Sequence, residues 1–345
     1  MKAKRLLPQS ADAFPANHRF NGIDLVKFIC AYMVFSIHIE PINIGAGDPW
    51  YFTTINFWIQ QYFCRLAVPF FFVTSGFLLF RKIDLSDPDK GRIKGYCMKL
   101  LRLYGTWAFL LFIGMTGHLW YLGALVLSVI IIYMLLKKGV SLTWLVVIAV
   151  IAFIIGLLGD NYYDITVALR NNTVIDYIAA FYERVFRTTR NGVFFGLIYV
   201  MIGILFAHKR IVMKTWVAVL GFVASLALLG VELYLLKHHM HMRNYNMAIM
   251  HLPAIFFLFY LALHLNLKDR PIYGTLRVAG MLIFFLHRLV LFFVQYAFLV
   301  IYNHTELNLY DYVYPVTIIA TTALAFLIPY LAKKPGCRWL RYLYS

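Results

Sequence analysis

The segment NGIDLVKFICAYMVFSIHIEP, Asn21–Pro41, is long enough to cross a bilayer and largely apolar, yet it carries an aspartate, a lysine and a histidine. Asp24 and Lys27 are three residues apart and share one face of a helix. Lys27 and His38 are eleven apart, which at about 100° per residue is three turns plus a small offset. All three groups therefore fall on one stripe, which Ala31 and Phe35 help complete. Ionisable side chains in hydrocarbon are costly and face a bundle interior or a polar cavity. Of these groups, the imidazole is the one suited to accept a proton near pH 7. A purely structural alternative is a buried Asp24–Lys27 ion pair beside a helix-packing histidine. Pairing accounts for Asp24 and Lys27 and leaves His38 unexplained.

The elements that position this stripe are hydrophobic runs. The chain has 345 residues, of which 62% are hydrophobic and only 14% charged, and apolar stretches of about twenty residues recur along it. The expected fold is an all-α polytopic membrane protein with about ten transmembrane helices, near residues 24–42, 54–80, 97–115, 119–136, 142–159, 191–207, 212–236, 246–266, 275–301 and 312–332. The first twenty residues hold no apolar core, so the first span is expected to be an uncleaved anchor. The formal charge of +17 raises nucleic acid as a partner, but its distribution speaks for topology. Sorting the connections alternately places 23 Lys and Arg on the N-terminal side and six on the other, so both termini are expected in the cytoplasm. The expected organisation is a cytoplasmic tail over 1–20, one membrane domain over 21–332 and a basic cytoplasmic tail over 333–345. The lipid bilayer of the cytoplasmic membrane is the first expected partner, and no nucleic acid is expected. Cys30, Cys64, Cys97 and Cys337 fall in spans or on the inner side, so no structural disulfide is expected.

Other candidate residues lie along the chain. In span two, Arg65 needs a partner or a cavity, Pro69 is positioned to kink the helix, and Ser75-Gly76 allows close backbone approach. Residues 81–102 hold seven basic residues, Arg81, Lys82, Lys94 and Lys99 among them. This stretch reads as an amphipathic helix on anionic lipid, and the same cations suit a polyphosphate such as that of coenzyme A. His118 and Trp120 sit at the outer interface, where belt packing and function are both open. The segment 160–190 reads as a long outer loop and candidate lid, ending in RTTRNGVFFG. There Arg187 and Arg190, beside Asn191, either hold an anionic acceptor or cap the next span. His239 and His241 lack fixed geometry and a supporting carboxylate set, so no metal site is expected. His287 in FFLHRLV is a further intramembrane histidine.

Lys27 and His38, as K-x10-H within IDLVKFICAYMVFSIH, resemble the first-span signature of the acyltransferase family 3 integral membrane proteins. VPFFFVTSGFLLF, HLWYLGALV, RNGVFFGLIYVMIGILFA and IFFLH follow in that family's order, so the resemblance covers nearly the whole chain. Lys27 stands where many members carry Arg, offering charge without a bidentate fork. RLAVPFFFVTSGF and TTRNGVFFG look like the branch in which this module is fused to vancomycin-resistance serine racemases. No soluble racemase domain is expected after Ser345, and racemisation is not implied by the resemblance. The resemblance implies transfer of an acyl group, commonly acetyl, from acetyl-CoA or another acyl-CoA to a cell-envelope glycan or peptidoglycan-precursor acceptor. In that scheme His38 is the base or acyl relay, and Arg65 and then Ser75 are candidates to stabilise the thioester oxygen. Lys27, held by Asp24, would meet the donor's phosphate end together with the basic connection. His118, Trp120, Arg187, Arg190 and Asn191 are candidates for the acceptor side. A small-molecule transporter would also line its path with intramembrane charges and is the alternative class.

Overall fold

The computed structural model describes residues 19–345 apart from 43–49, Arg187, 241–242, Asn244, Glu306 and Asn308, and apart from the side chains of 112–114. The expected tail over 1–20 therefore lies almost wholly outside the described residues, as do His241 and Arg187. Thirteen α-helices follow one another among the described residues: α1 (Asn21–His38), α2 (Trp50–Phe57), α3 (Ala67–Phe80), α4 (Lys90–Met115), α5 (Trp120–Lys137), α6 (Leu142–Leu158), α7 (Tyr163–Leu169), α8 (Thr173–Phe186), α9 (Leu197–His208), α10 (Thr215–His239), α11 (His251–His264), α12 (Pro271–Thr305) and α13 (Val313–Leu331). Long apolar runs favour helices here because hydrocarbon offers no partner for a free backbone N–H or C=O.

Five of these segments are long and apolar enough to cross a membrane: Trp50–Phe80, Thr116–Lys137, Thr215–His239, Pro271–Thr305 and Tyr310–Leu331. A sixth is reached if α6 and α7, bent by 81° at their junction, count as one broken span. The expectation of about ten transmembrane helices is thus overturned, and the alternating assignment of loops and termini that rested on ten crossings falls with it. The reasons are local. Asp24, Lys27 and His38 dilute α1, which has only 18 residues. Basic residues fill the first half of α4, and α11 has only 14 residues. The protein is still multi-pass. On α10, only 22% of the apolar stretch is buried, and Trp216, Leu220, Val223 and Val231 are exposed, as lipid-facing side chains must be.

The chain divides into two compact units. One comprises residues 69–97 and 124–265 together with Arg19 and Phe20. Its helices meet through glycine. A Cβ on Gly203 would strike the Val73 carbonyl of α3, and one on Gly76 would strike the Val200 carbonyl of α9. The close approach expected at Ser75-Gly76 is therefore realised as a small-residue crossing of α3 and α9. The expected loop over 160–190 is largely helical, as α7 and α8. The buried Asp160 carboxylate anchors it, accepting from Thr189 Oγ1 (2.7 Å), the Asn246 amide (2.9 Å), Asn246 Nδ2 (3.2 Å) and the Met247 amide (3.2 Å). Arg170 and Arg243 converge on Glu183 at 2.6 and 3.0 Å.

The other unit comprises residues 21–68, 98–123 and 266–345. Its centre is α1 flanked by α12 and α13. Asn21 Nδ2 reaches the Leu267 carbonyl, Asp24 meets Arg277, and His38 stacks on His287, so α1 and α12 run in the same direction. Gly280 permits their approach, since a Cβ there would sit 3.2 Å from Phe28 Cα. Helix α13 runs the other way: Phe28 packs on Phe326, the Tyr32 hydroxyl bonds Thr322 Oγ1 at 2.9 Å, and Ser36 Oγ bonds the Tyr314 hydroxyl at 2.8 Å. The irregularity in span two precedes Pro69. A π-helical stretch, Trp58–Phe63, and a 3-10 turn, Cys64–Leu66, join α2 to α3.

Gly203→Val should lower unfolding stability by about 1–3 kcal/mol, because the added carbons meet backbone that cannot rotate away. Thermal unfolding in detergent checks this, with Gly274→Val, where nothing lies within 4 Å, as the neutral control.

Candidate functional site

Three histidines from three elements meet at one end of α1. His38 occupies its last turn, His118 the 3-10 turn Thr116–Leu119, and His287 the middle of α12. The ring centroids of His38 and His287 are 5.3 Å apart and nearly parallel, at 24°. His118 meets His287 edge-on at 4.9 Å and His38 at 6.2 Å. Aromatic rings close the cluster: Phe284 stands 5.5 Å from His118, and Phe35 stands 6.2 Å from His287 and 5.3 Å from Tyr314. His118 and His287 are buried, whereas His38 is half-buried.

His38 lines a cavity of about 170 Å³ together with Glu40, Gln295, Tyr310, Asp311 and Tyr314. The chain leaving α1 is fixed beside it by Asn56. Its amide oxygen accepts from the Ile42 N–H at 3.1 Å, and its amide nitrogen donates to the Ile42 carbonyl at 2.6 Å. Gln60, in the π-helical stretch, donates to the Ser36 carbonyl at 3.0 Å. A π-bulge changes which side chains face inward, and such bulges recur at functional sites.

At the opposite end of α1 lies a group of cations. The Asp24 carboxylate forms its ion pair with Arg277, at 3.6 Å, rather than with Lys27 as expected. Lys27 remains within electrostatic reach of Asp24, Arg277, Cys30 and Lys99. Three cations and one carboxylate thus gather about 16 Å along the helix from His38. Arg65 donates through Nε to Gln61 Oε1 at 2.8 Å.

The remaining candidates scatter. Ser75, in the unit formed by residues 69–97 and 124–265, hydrogen-bonds the Tyr96 phenol. Arg81, in that same unit, stacks its guanidinium on Phe20 at 4.7 Å. Lys82 and Lys94 are exposed, and Lys94 lies in the first turns of α4, which continues unbroken to Met115 rather than forming a separate surface helix. Arg190 is half-buried in the turn before α9. Asn191 caps the π-helical stretch Gly192–Gly196: its oxygen accepts from the Val193 and Phe194 amides and its nitrogen donates to the Thr188 carbonyl. That is a structural use of the side chain. Trp120 begins α5, next to the histidine turn. Sequence reasoning missed Arg277, Asn56 and the cavity residues Glu40, Gln295, Asp311 and Tyr314. It singled out His287 without assigning it a role.

Residues 20–116, which carry α1 to α4, match the family model described as an acyltransferase domain. The chain is 29% identical over 284 residues to an amino-acid racemase of Enterococcus faecalis, an alignment covering 74% of this chain and 37% of that protein. It is likewise 29% identical over 280 residues to a serine/alanine racemase of Enterococcus gallinarum, covering 70% and 37%. A second amino-acid racemase of Enterococcus faecalis is 28% identical over 309 residues, covering 81% and 42%. The chain thus spans about two fifths of the length of the curated relatives it matches. No solved structure matches it significantly. Together with the long apolar helices, these matches support a membrane acyltransferase in general terms.

Asn56→Ala removes both bonds that fix Ile42 and should destabilise the protein by about 1–3 kcal/mol. Arg277→Ala breaks an ion pair whose arginine is 57% exposed and should change stability by less than about 1 kcal/mol. Thermal midpoints of the two purified variants, measured side by side, check the order.

Proposed function

We propose that this protein is an integral membrane acyltransferase, moving an acyl group, acetyl in the simplest case, from a cytoplasmic acyl-CoA to a hydroxyl or amine of a cell-envelope acceptor. The observation that carries this reading is the place of His38. The K-x10-H pattern ends on an imidazole that lines a cavity and is backed by two further imidazoles.

In the direct route, His38 takes the proton of the acceptor hydroxyl or amine as that group attacks the thioester carbon. The new C–O or C–N bond forms, the C–S bond breaks, and the coenzyme A thiolate takes the proton from His38. In the relay route, the His38 nitrogen first accepts the acyl group with release of the thiol, and the acceptor then displaces it. Negative charge on the thioester oxygen calls for a donor, and Arg65, held by Gln61, is the candidate in the unit that contains His38. Lys27, Lys99 and Arg277 are suited to the phosphates of the donor, and the length of a pantetheine arm matches the separation between that end of α1 and His38. Glycans, peptidoglycan precursors and amino acids all carry the required nucleophile, and Glu40, Gln295, Asp311 and Tyr310 offer them polar contacts.

A small-molecule carrier is the second reading, and the 81° break between α6 and α7 favours it, because broken helices recur in transporters. Incubation of the purified protein with labelled acetyl-CoA separates the two. The wild type should cleave the thioester or retain label, and His38→Ala should lose at least about 100-fold of that activity while remaining folded. No cleavage by either protein, with substrate accumulation in proteoliposomes, would establish the carrier instead. Lys27→Arg should keep turnover, whereas Lys27→Gln should raise the acetyl-CoA KM about tenfold with kcat little changed. Steady-state kinetics on the two variants check that contrast.

A further inference from the structure

His287 follows Phe284, Phe285 and Leu286 in the buried centre of α12 and is itself fully buried. Its Nδ1 lies 3.1 Å from the Ile283 carbonyl one turn back. A carbonyl only accepts, so Nδ1 carries the hydrogen and Nε2 is left with a lone pair. That Nε2 is sealed from solvent and has no hydrogen-bond partner. Phenylalanine would fill the same space without leaving a buried acceptor unsatisfied, which is ordinarily destabilising. What histidine adds is the Nδ1–H bond, which pins the plane of the ring against its own helix. The pinned ring is the one on which His38 stacks, at 5.3 Å and 24°. His118 meets the same ring edge-on at 4.9 Å, and Gly280 lets α12 come close enough to α1 for the stack to form.

We propose that His287 is a positioning residue for His38: a pinned aromatic platform that sets the plane of the His38 ring and so aims its basic nitrogen at the cavity. This inference rests on the reading of His38 as the base or acyl relay. His287 touches neither donor nor acceptor in this scheme and exchanges no proton with them. Placement errors of about 1 Å at a reacting group cost on the order of 100-fold in rate, so a platform of this kind carries weight.

Two substitutions separate its parts. His287→Phe keeps the ring and loses the pin. His287→Asn keeps a donor near the Nδ1 position and loses the ring. Steady-state cleavage of acetyl-CoA by the full-length protein in lipid nanodiscs reads both. The Asn variant should lose at least about tenfold in kcat with the acetyl-CoA KM within about twofold, and the Phe variant, which keeps the ring without the pin, should show a smaller loss of about two- to fivefold. Wild-type kcat in His287→Asn, beside an inactive His38→Ala, would overturn this inference and leave the catalytic reading standing. His287→Phe as inactive as His38→Ala would also overturn it, because the nitrogen itself would then do the chemistry. Near-native turnover in His38→Ala would bring down the underlying reading instead.

A readout independent of turnover is the rate at which diethyl pyrocarbonate modifies His38, followed by mass spectrometry. Loss of the platform should free the ring and raise that rate several-fold in His287→Asn, and loss of the pin alone should raise it by less in His287→Phe. Equal rates in all three proteins would contradict the proposal. Thermal midpoints measured alongside distinguish it from a packing role, in which kcat loss would follow loss of folded protein in both variants.

Discussion

Ionisable side chains on an apolar helix must find protein partners, because hydrocarbon provides none. Helix α1 presents Asp24 at one end and His38 at the other, and α12 meets both, with Arg277 against the first and His287 against the second. The parallel course of the two helices brings both pairs together. Gly280 lets them approach, since a Cβ there would sit 3.2 Å from Phe28 Cα, and α13, running back along α1, packs on it through Tyr314, Thr322 and Phe326. The cavity at His38 is what these three helices leave open at one end.

This arrangement separates two chemistries along one helix. Cations gather where Lys27, Lys99 and Arg277 lie, and imidazoles gather about three turns further on. A donor that is a polyanion at one end and a thioester at the other has the same polarity. Aromatic and imidazole rings pack around His38 on its buried side, while Glu40, Gln295 and Asp311 give the open side a polar rim. The match of residues 20–116 to an acyltransferase domain covers α1 and the turn leading to His118 but stops well short of α12. The helix that completes the site therefore lies outside the matched region.

The α1 stripe was legible in the sequence because helical periodicity alone puts Asp24, Lys27 and His38 on one face. The partners of that stripe were not. Nothing in the spacing of Asp24 and Lys27 says that a guanidinium more than 250 positions away takes the carboxylate, and the local pairing drawn from proximity in sequence gave way to a tertiary one. The number of membrane crossings was overread for a related reason. Hydropathy marks apolar stretches, but the helices that form in them can be short: α6 has 17 residues, α9 has 12 and α11 has 14. Asn191 had the composition of a binding residue and serves as a helix cap, a use that asparagine after a turn always offers. Asn56 was invisible because its two bonds go to a backbone position fourteen residues earlier, with no pattern in side-chain chemistry.

The most direct test of this account is an experimental structure of the full-length protein bound to a non-hydrolysable thioether analogue of acetyl-CoA. The account predicts the acyl carbonyl within hydrogen-bonding distance of the residues around His38 and the phosphates against Lys27, Lys99 and Arg277. An analogue seated away from α1, with His38 still stacked and its cavity filled only by water, would contradict it.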